Sequence, residues 1–539
     1  MQKLIKENAW VIFCLFALTT IATLLRSYNS FWGEQPFYFG SDDTHHLFLS
    51  GLRLTYVSTD WGDIIQNSYR DCHPPLRDLV LNFIMHNVDS VYLSRLIGFI
   101  PGVLLVPASF FLGYSLSYKS SKFERSIIGL SLAFVTTFMD LMVDLSISTR
   151  PYMLMALIQV VTLICLLRAV KTTKVFWFTS FYIFAFITLF SDYGVIFPIG
   201  IYNLILILYS FTKVKKNLKL VIIGSIVLLA SVLFQGLEIK KNNGFERYKF
   251  RSFLESHYIK EVKQIPVAVI NFFDIFARVK VAPPSIIQYL VFAIYLAGLI
   301  FLYRDRSYVE LGLALLPIIS AIILSYTKYY PFYKGWHSVS LIPSVFIAYA
   351  ASLEKFLKLK PMSRTLTLLV IFMLSYPYAL GVFVKPEQYY QKFVVHDNYY
   401  LSVDVKKNDL ERLEAKLFEL KNDDNFIVFD NVLGHLFEIY YRMEMIDIML
   451  KDERAVKDEI FRLKRTGDYC YHNDNDIHRE KSVCRYYNEN TKQKLKKIIV
   501  AGKVNLIQEV IDEVATHGYT KEVFSLNDAQ WQIREFALE

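Results

Sequence analysis

The sequence predicts a mainly α, polytopic membrane protein with a C-terminal soluble α/β domain. Of its 539 residues 54% are hydrophobic, and apolar stretches long enough to cross a bilayer recur along most of the chain. The net charge of +9 is spread over short Lys and Arg clusters between these stretches, which is typical of membrane topology signals rather than of a nucleic-acid surface. We expect roughly eleven transmembrane helices over residues 1–384 and a soluble domain over residues 385–539.

The apolar stretches and the basic clusters alternate regularly. A basic cluster follows every second apolar stretch, so the positive-inside rule places the N-terminus on the inner side. The loops over residues 26–78 and 238–284 and the C-terminal domain are then on the outer side, and the second loop has the composition of an interfacial segment. The predicted membrane segments are 9–25, 91–118, 126–145, 151–167, 175–190, 193–211, 220–237, 285–303, 309–326, 336–353 and 365–384.

Two adjacent acids, Asp42 and Asp43, lie in the first outer loop. One interpretation is a helix cap, because acids favour the start of a helix. The other is a general base, since sugar transfer to a hydroxyl group requires removal of the proton of the acceptor. The same acids could hold a divalent cation such as Mg²⁺ or Mn²⁺, and no other cofactor is indicated.

The run from His73 to Arg77 (HPPLR) lies at the end of the same loop. Its two prolines predict the first turn of a helix, where a missing N–H is tolerated. The free N–H groups of that turn, together with Arg77, would attract a phosphate leaving group. The alternative is a loop-to-helix junction in which Arg77 extends to the membrane surface.

Further ionisable residues are predicted at the same membrane face. Such groups are functional candidates because they are unfavourable in lipid, although anchoring at the interface would also explain them. They are Asp140, Asp144, Arg150 with Tyr152, Asp192 with Tyr193, and Lys334 with His337.

The C-terminal part is rich in charge and lacks long apolar runs. Residues 404–420 and 432–441 have helical spacing, residues 425–430 read as a buried strand, and residues 503–526 as mixed strand and helix. Cys470 and Cys484 could form a disulfide in an oxidising outer compartment. No Cys-x-x-Cys pattern or other ligand spacing indicates zinc.

Three motifs occur in a characteristic order: Ser41–Thr44 (SDDT), His73–Leu76 (HPPL) and Thr149–Tyr152 (TRPY). In them the chain resembles the dolichyl-phosphate-mannose–protein mannosyltransferase superfamily, including its bacterial relatives, the lipid A aminoarabinose transferases. This resemblance implies the GT-C fold, a bacterial plasma membrane and inverting transfer from a polyprenyl-phosphate sugar. In this resemblance Asp42 matches the catalytic acid, and Asp43 replaces the usual Glu.

The remaining site residues follow the same resemblance less closely. Arg77 lies one position before a basic residue of the protein mannosyltransferases, Asp192-Tyr193 stands where His-Tyr is common, and Lys334 lies near a usual Arg. We predict that basic side chains bind the donor phosphate and that others contact substrate. The predicted phosphate-binding residues are Arg77, Arg150 and Lys334. The predicted substrate-binding residues are His73, Tyr152, Asp192, Tyr193 and His337.

These features predict a membrane glycosyltransferase with a polyprenyl-phosphate-linked sugar as donor and a glycan, lipid or protein hydroxyl as acceptor. A transporter or flippase of lipid-linked sugars is the alternative. A transporter typically has ionisable residues near the membrane midplane and repeated halves, whereas here these residues gather at the outer helix ends. A structural assembly protein would leave the Asp pair and the HPPLR run unexplained.

Overall fold

A computed structural model describes two parts of the chain, which form two compact units. One contains the helices up to residue 358, and the other contains the strands and one helix near the C-terminus. The described residues are 2–27, 61–70, 74–87, 95–147, 150–241, 258–273, 284–332, 337–358, 425–429, 469–471, 487–488, 493–494, 497–503, 507–516, 518–527 and 531–538.

The first unit is a bundle of α-helices. Ten of the eleven predicted membrane segments overlap described helices, and the segment at 365–384 lies outside the described residues. The helices are α1 (Gln2–Ser27), α2 (Trp61–Arg70), α3 (Leu76–Asn87), α4 (Leu96–Leu116), α5 (Lys122–Phe138), α6 (Asp140–Ile147), α7 (Tyr152–Thr172), α8 (Val175–Leu189), α9 (Ile196–Lys213), α10 (Leu218–Lys241), α11 (Ile265–Phe272), α12 (Pro284–Arg304), α13 (Tyr308–Tyr326) and α14 (Ile342–Leu357).

Many of these helices have the length and composition of membrane spans. Within the described residues seven candidates are long and apolar enough, and three shorter apolar helices accompany them. Large apolar side chains on their outer surfaces are exposed, such as Phe13 at 71% and Phe16 at 70%, as expected where lipid replaces water. The protein is therefore an integral membrane protein. The seven spans are Ala9–Ser27, Leu96–Leu116, Tyr152–Thr172, Tyr193–Lys213, Lys215–Lys241, Tyr308–Tyr326 and Ser338–Leu357.

One predicted segment, at 126–145, is two helices rather than one. Helix α5 ends at Phe138, Met139 is extended, and α6 begins at Asp140. A helix end leaves carbonyl groups without partners. Here the buried guanidinium of Arg26, at the end of α1, donates to the carbonyls of Thr136 at 3.0 Å and Thr137 at 3.3 Å. These bonds satisfy the carbonyls that a continuous helix would have used, and they stabilise the break.

The second unit contains a five-stranded mixed sheet in the order β2-β1-β5-β7-β6. Strand β1 is parallel to β2 and β5, whereas β7 is antiparallel to β5 and β6. Four consecutive residues of β5, Ile498 to Ala501, are fully buried, which is typical of a central strand covered on both faces. The strands are β1 (Asn425–Phe429), β2 (Tyr469–Tyr471), β3 (Tyr487–Asn488), β4 (Gln493–Lys494), β5 (Lys497–Lys503), β6 (Tyr519–Asn527) and β7 (Trp531–Leu538).

Helix α15 (Ile507–Thr516) packs against β5 and β6. The predicted strand at 425–430 is confirmed by β1, and the mixed strand and helix over 503–526 by α15 and β6. The helical segments predicted at 404–420 and 432–441 lie outside the described residues.

Candidate active site at one end of the helix bundle

The structure describes part of the predicted site. The side chains of Arg77, Arg150, Tyr152, Asp192 and Tyr193 are described. The others lie outside the described side chains, although His337 opens a described 3-10 turn and Cys470 lies in β2. These others are Asp42, Asp43, His73, Asp140, Asp144, Lys334, His337, Cys470 and Cys484.

The HPPLR run opens a helix, as predicted, and docks on the end of α8. Pro74 and Pro75 are buried, and α3 begins at Leu76. The Leu76 amide donates a 3.0 Å hydrogen bond to the carbonyl of Phe190, the residue that ends α8. This amide is therefore engaged with the protein, and it is not one of the free N–H groups that the sequence suggested for anion binding.

Arg77 is buried in an ion pair and does not extend to the membrane surface. Its side chain is 3% exposed, and its Nη2 lies 2.6 Å from Oδ1 of Asp78. Its Nε donates to the same oxygen at 2.8 Å. A buried guanidinium requires such a partner because desolvation of a lone charge is strongly unfavourable. The sequence signal that could have predicted this partner is Asp78 itself, an acid in the first turn of the helix.

Asp192 lies at the junction between α8 and α9. It caps a 3-10 turn, Tyr193–Val195, and its Oδ1 accepts a 2.7 Å hydrogen bond from the Gly194 amide. Burial raises the pKa of Asp192 to about 6, although the Gly194 bond and the charges of Arg77 and Arg150 lower it. Three predicted site residues from distant parts of the sequence thus share one electrostatic environment.

Arg150 and Tyr152 enter this region from the start of α7. Arg150 is half-buried, Pro151 precedes the helix, and Tyr152 is only 4% exposed within the main apolar cluster. The side chain of Tyr193, beyond Asp192, is half-buried. Tyr152 is therefore packed as a core residue in this structure, whereas Arg150 and Tyr193 keep partial exposure.

The described residues on either side of Lys334, Tyr330 and the turn from His337, are fixed at the same end of the bundle. Gln159 of α7 donates to the Ser340 carbonyl at 2.7 Å, and the hydroxyls of Tyr330 and Ser340 are 3.3 Å apart. The ring of Tyr330 meets that of Phe197, on α9, edge to face at 4.9 Å. The 3-10 turn His337–Leu341 also contacts the turn that Asp192 caps.

Arg26, which the sequence marks only as the start of the first loop, belongs to this end as well. Its side chain is fully buried, and its Nε donates to Ser146 Oγ of α6 at 3.0 Å. Helix α4 approaches closely here, because a Cβ at Gly102 would lie 3.2 Å from Arg26 Nε. Arg26 therefore fixes the point at which the chain leaves α1 toward Asp42 and Asp43.

Comparison with solved structures identifies the architecture. The apo crystal structure of ArnT from Cupriavidus metallidurans matches with a TM-score of 0.52 and 12% sequence identity, over 98% of each chain. The chain has the GT-C fold. This fold confirms the expectation from the ordered motifs.

Two further structures match at lower TM-scores. ArnT from the same organism bound to undecaprenyl phosphate has a TM-score of 0.48 and 12% identity over 98% of each chain. An oligosaccharyltransferase from Archaeoglobus fulgidus, in complex with Zn and sulfate, has a TM-score of 0.45 and 13% identity over 78% of this chain and 61% of its own. No protein-family profile and no curated protein sequence matches the chain.

The opposite end of this GT-C bundle carries Lys residues and acids in ion pairs. The Lys171 ammonium donates to the Ser115 carbonyl and lies 3.9 Å from the centre of the Tyr118 ring. Lys355 pairs with Asp305 at 2.6 Å, next to a cavity of about 40 Å³ lined by residues of α4, α12, α13 and α14. The two ends therefore differ in chemistry, with Arg26, Arg77 and Asp192 at one and the Lys-rich pairs at the other.

No metal site is evident in the part of the chain that the structure describes. No group of three or more His, Cys, Asp or Glu side chains there could hold a metal ion. Asp42 and Asp43, which were predicted to suit Mg²⁺ or Mn²⁺, lie outside those residues.

Proposed function

We propose that the protein is a membrane glycosyltransferase. It would move a sugar from a polyprenyl-phosphate-linked donor to a hydroxyl group of a glycan, lipid or protein acceptor. The observation that carries this proposal is that the helix of Arg77 docks on the end of α8, where the Leu76 amide donates to Phe190 two residues before Asp192. This is the bundle end at which Arg26 is buried after α1. The GT-C fold and the motif order support the same assignment.

In the proposed reaction an acceptor oxygen attacks the anomeric carbon from the face opposite the phosphate. The bond from that carbon to the phosphate oxygen breaks, and its electron pair leaves with polyprenyl phosphate. Asp42 takes the acceptor proton, and Asp43 orients Asp42 or would hold Mg²⁺ or Mn²⁺ if a cation is bound. Inversion at the anomeric carbon follows from this single displacement.

The basic side chains stabilise the departing phosphate. Charge develops on the phosphate oxygens as the bond breaks, and fixed positive groups are most effective where water is excluded. Arg150 and Lys334 are assigned to the same phosphate as further basic groups, and Asp78 offsets much of the charge of Arg77. Arg77 then acts mainly through oriented N–H donors. His73, Tyr193 and His337 are assigned to contacts with the sugar or acceptor, and the segment 238–284 to a lid.

We place the site on the outer face of a bacterial plasma membrane, with the N-terminus in the cytoplasm. This placement rests on the basic clusters between helices, which mark the inner side. These clusters lie at the opposite end of the bundle from Arg77. The soluble domain over residues 385–539 would then be extracytoplasmic. Protease digestion of intact spheroplasts tests the orientation: the C-terminal domain should be cleaved, and its protection would reverse the assignment.

The central test is release of free polyprenyl phosphate from a labelled donor by the full-length protein in proteoliposomes. Wild-type protein should cleave the donor, and Asp42→Asn should lower the rate by about a hundredfold or more. Asp305→Asn is the matched control, because Asp305 pairs with Lys355 at the opposite end, and it should keep the wild-type rate. Full activity of Asp42→Asn would refute the base assignment, and movement of intact donor without cleavage would favour a flippase.

A further inference from the structure

Three buried side chains form a continuous polar chain behind the proposed phosphate site. Ser68 Oγ of α2 donates to Asp78 Oδ2 at 2.5 Å, and Arg77 binds the other oxygen of the same carboxylate. Ser68 is 2% exposed, Arg77 3% and Asp78 5%. Each oxygen of the carboxylate therefore has a different partner, which fixes the rotation of Asp78.

The position of Ser68 is set by the packing of α2 against α10. Tyr69, the next residue, is 1% exposed and meets the ring of Phe234 edge to face at 6.1 Å. The Ser68 hydroxyl also lies 2.9 Å from the Ile64 carbonyl of its own helix. A hydroxyl has one proton, and the charged Asp78 acceptor binds it more strongly at the shorter distance.

Asp78 occupies one edge of the Arg77 guanidinium. The guanidinium carries five N–H donors in a rigid planar fork, and Asp78 Oδ1 engages those of Nε and Nη2. No other hydrogen-bond partner of Arg77 occurs among the described residues. The remaining N–H groups are held in one orientation and can bind two oxygens of a phosphate together.

We propose that Ser68 and Asp78 are positioning residues that orient Arg77 toward the phosphate of the donor lipid. The proposal rests on the proposed function of this site. Arg77 alone has several flexible side-chain torsions, and fixing them before the donor binds removes an entropic penalty from binding and reaction. Asp78 reduces the net positive charge of the site, and its benefit is the fixed orientation of the Arg77 guanidinium.

A positioning role for Asp78 and a purely electrostatic role predict opposite effects of Asp78→Asn on phosphate binding. Removing the negative charge of Asp78 should strengthen phosphate binding if only electrostatics mattered. If Asp78 positions Arg77, Asp78→Asn should instead weaken donor binding, since the guanidinium loses its fixed partner. Asp78→Glu, which keeps the charge on a longer side chain, should recover part of the loss.

The decisive experiment is a double-mutant cycle between Ser68 and Arg77 in full-length protein in nanodiscs. Affinity for polyprenyl phosphate and kcat/KM for the labelled donor are both measured. Ser68→Ala should lower both about tenfold in the wild-type background and leave both unchanged in the Arg77→Gln background. Ser231→Ala on α10 is the control, because Ser231 is also buried and donates within its own helix, to Val227 at 2.8 Å; it should change neither quantity.

Each outcome decides one point. Equal losses from Ser68→Ala in both backgrounds, or tighter phosphate binding by Asp78→Asn, would overturn the positioning role. If wild-type protein binds polyprenyl phosphate but never cleaves the donor, the proposed transferase function is refuted. In that case the coupling between Ser68 and Arg77, measured from the affinities alone, still tests the positioning role. Thermal unfolding of every variant identifies losses that come from misfolding, and a Ser68→Thr variant, which keeps the hydroxyl, should then restore the affinity.

Discussion

The Leu76 amide and the Phe190 carbonyl are 3.0 Å apart, and they join the start of α3 to the end of α8. This bond places Arg77, the next residue, against the junction that carries Asp192. The bond joins backbone atoms, so it depends on an N–H at position 76 rather than on the identity of the side chain.

Leu76→Pro should weaken this docking while keeping the helix, because proline is tolerated in the first helical turn but has no N–H. We expect a loss of about 1 kcal/mol in stability and a higher KM for the donor. Thermal unfolding and donor titration measure the two effects. Leu76→Ala keeps the N–H and serves as the control; if both variants raise the KM equally, the side chain and not the bond is responsible.

Arg26→Leu should be among the most damaging substitutions in the bundle. It removes the donors to Thr136, Thr137 and Ser146 and leaves buried carbonyls without partners, for about 3 kcal/mol of destabilisation. Unfolding in detergent with increasing denaturant gives the value. Arg304→Leu, at an exposed site at the end of α12, should change stability by less than about 0.5 kcal/mol. Similar values for both variants would show that the Arg26 contacts contribute little.

Gly102→Ala should disturb the same region by steric contact. A Cβ at position 102 would lie 2.1 Å from Ser146 Oγ and 3.2 Å from Arg26 Nε. We expect about 1–3 kcal/mol of destabilisation, as for other overpacked sites. Gly236→Ala is the matched control, because nothing lies within 4 Å of a Cβ there, and alanine should stabilise α10 by about 0.5–1 kcal/mol. A neutral Gly102→Ala would mean that α4 and α6 are less closely packed.

The donor KM should depend on pH through Asp192. Below pH 6 its side chain is protonated and neutral, because burial raises its pKa to about 6. As the pH rises through this value a carboxylate forms beside Arg77 and Arg150 and repels the donor phosphate, so the KM should rise about fivefold. Asp192→Asn should remove this step and keep the low-pH KM at all pH values. A step that persists in the variant would assign the titration to another group.

The sequence predicted the bundle well because membrane helices follow from length, apolar content and the charge between them. The break at Met139 was not predicted, since the bonds that stabilise it come from Arg26, more than a hundred residues earlier. Likewise, the spacing of Arg77 and Asp192 gives no sign that they share one environment. The burial of Arg77 was also not predicted, because it depends on the ion pair with Asp78 beside it.

The junction between α8 and α9 has a consequence for how ligands influence one another. Phe190 accepts the bond from the HPPLR helix, and the turn after Asp192 contacts the turn that begins at His337. A ligand on either segment that shifts this junction changes the other segment. By thermodynamic reciprocity, the factor by which a bound donor changes acceptor affinity must equal the factor by which acceptor changes donor affinity. Order of addition would then alter the rates of assembly of the ternary complex but not its overall stability.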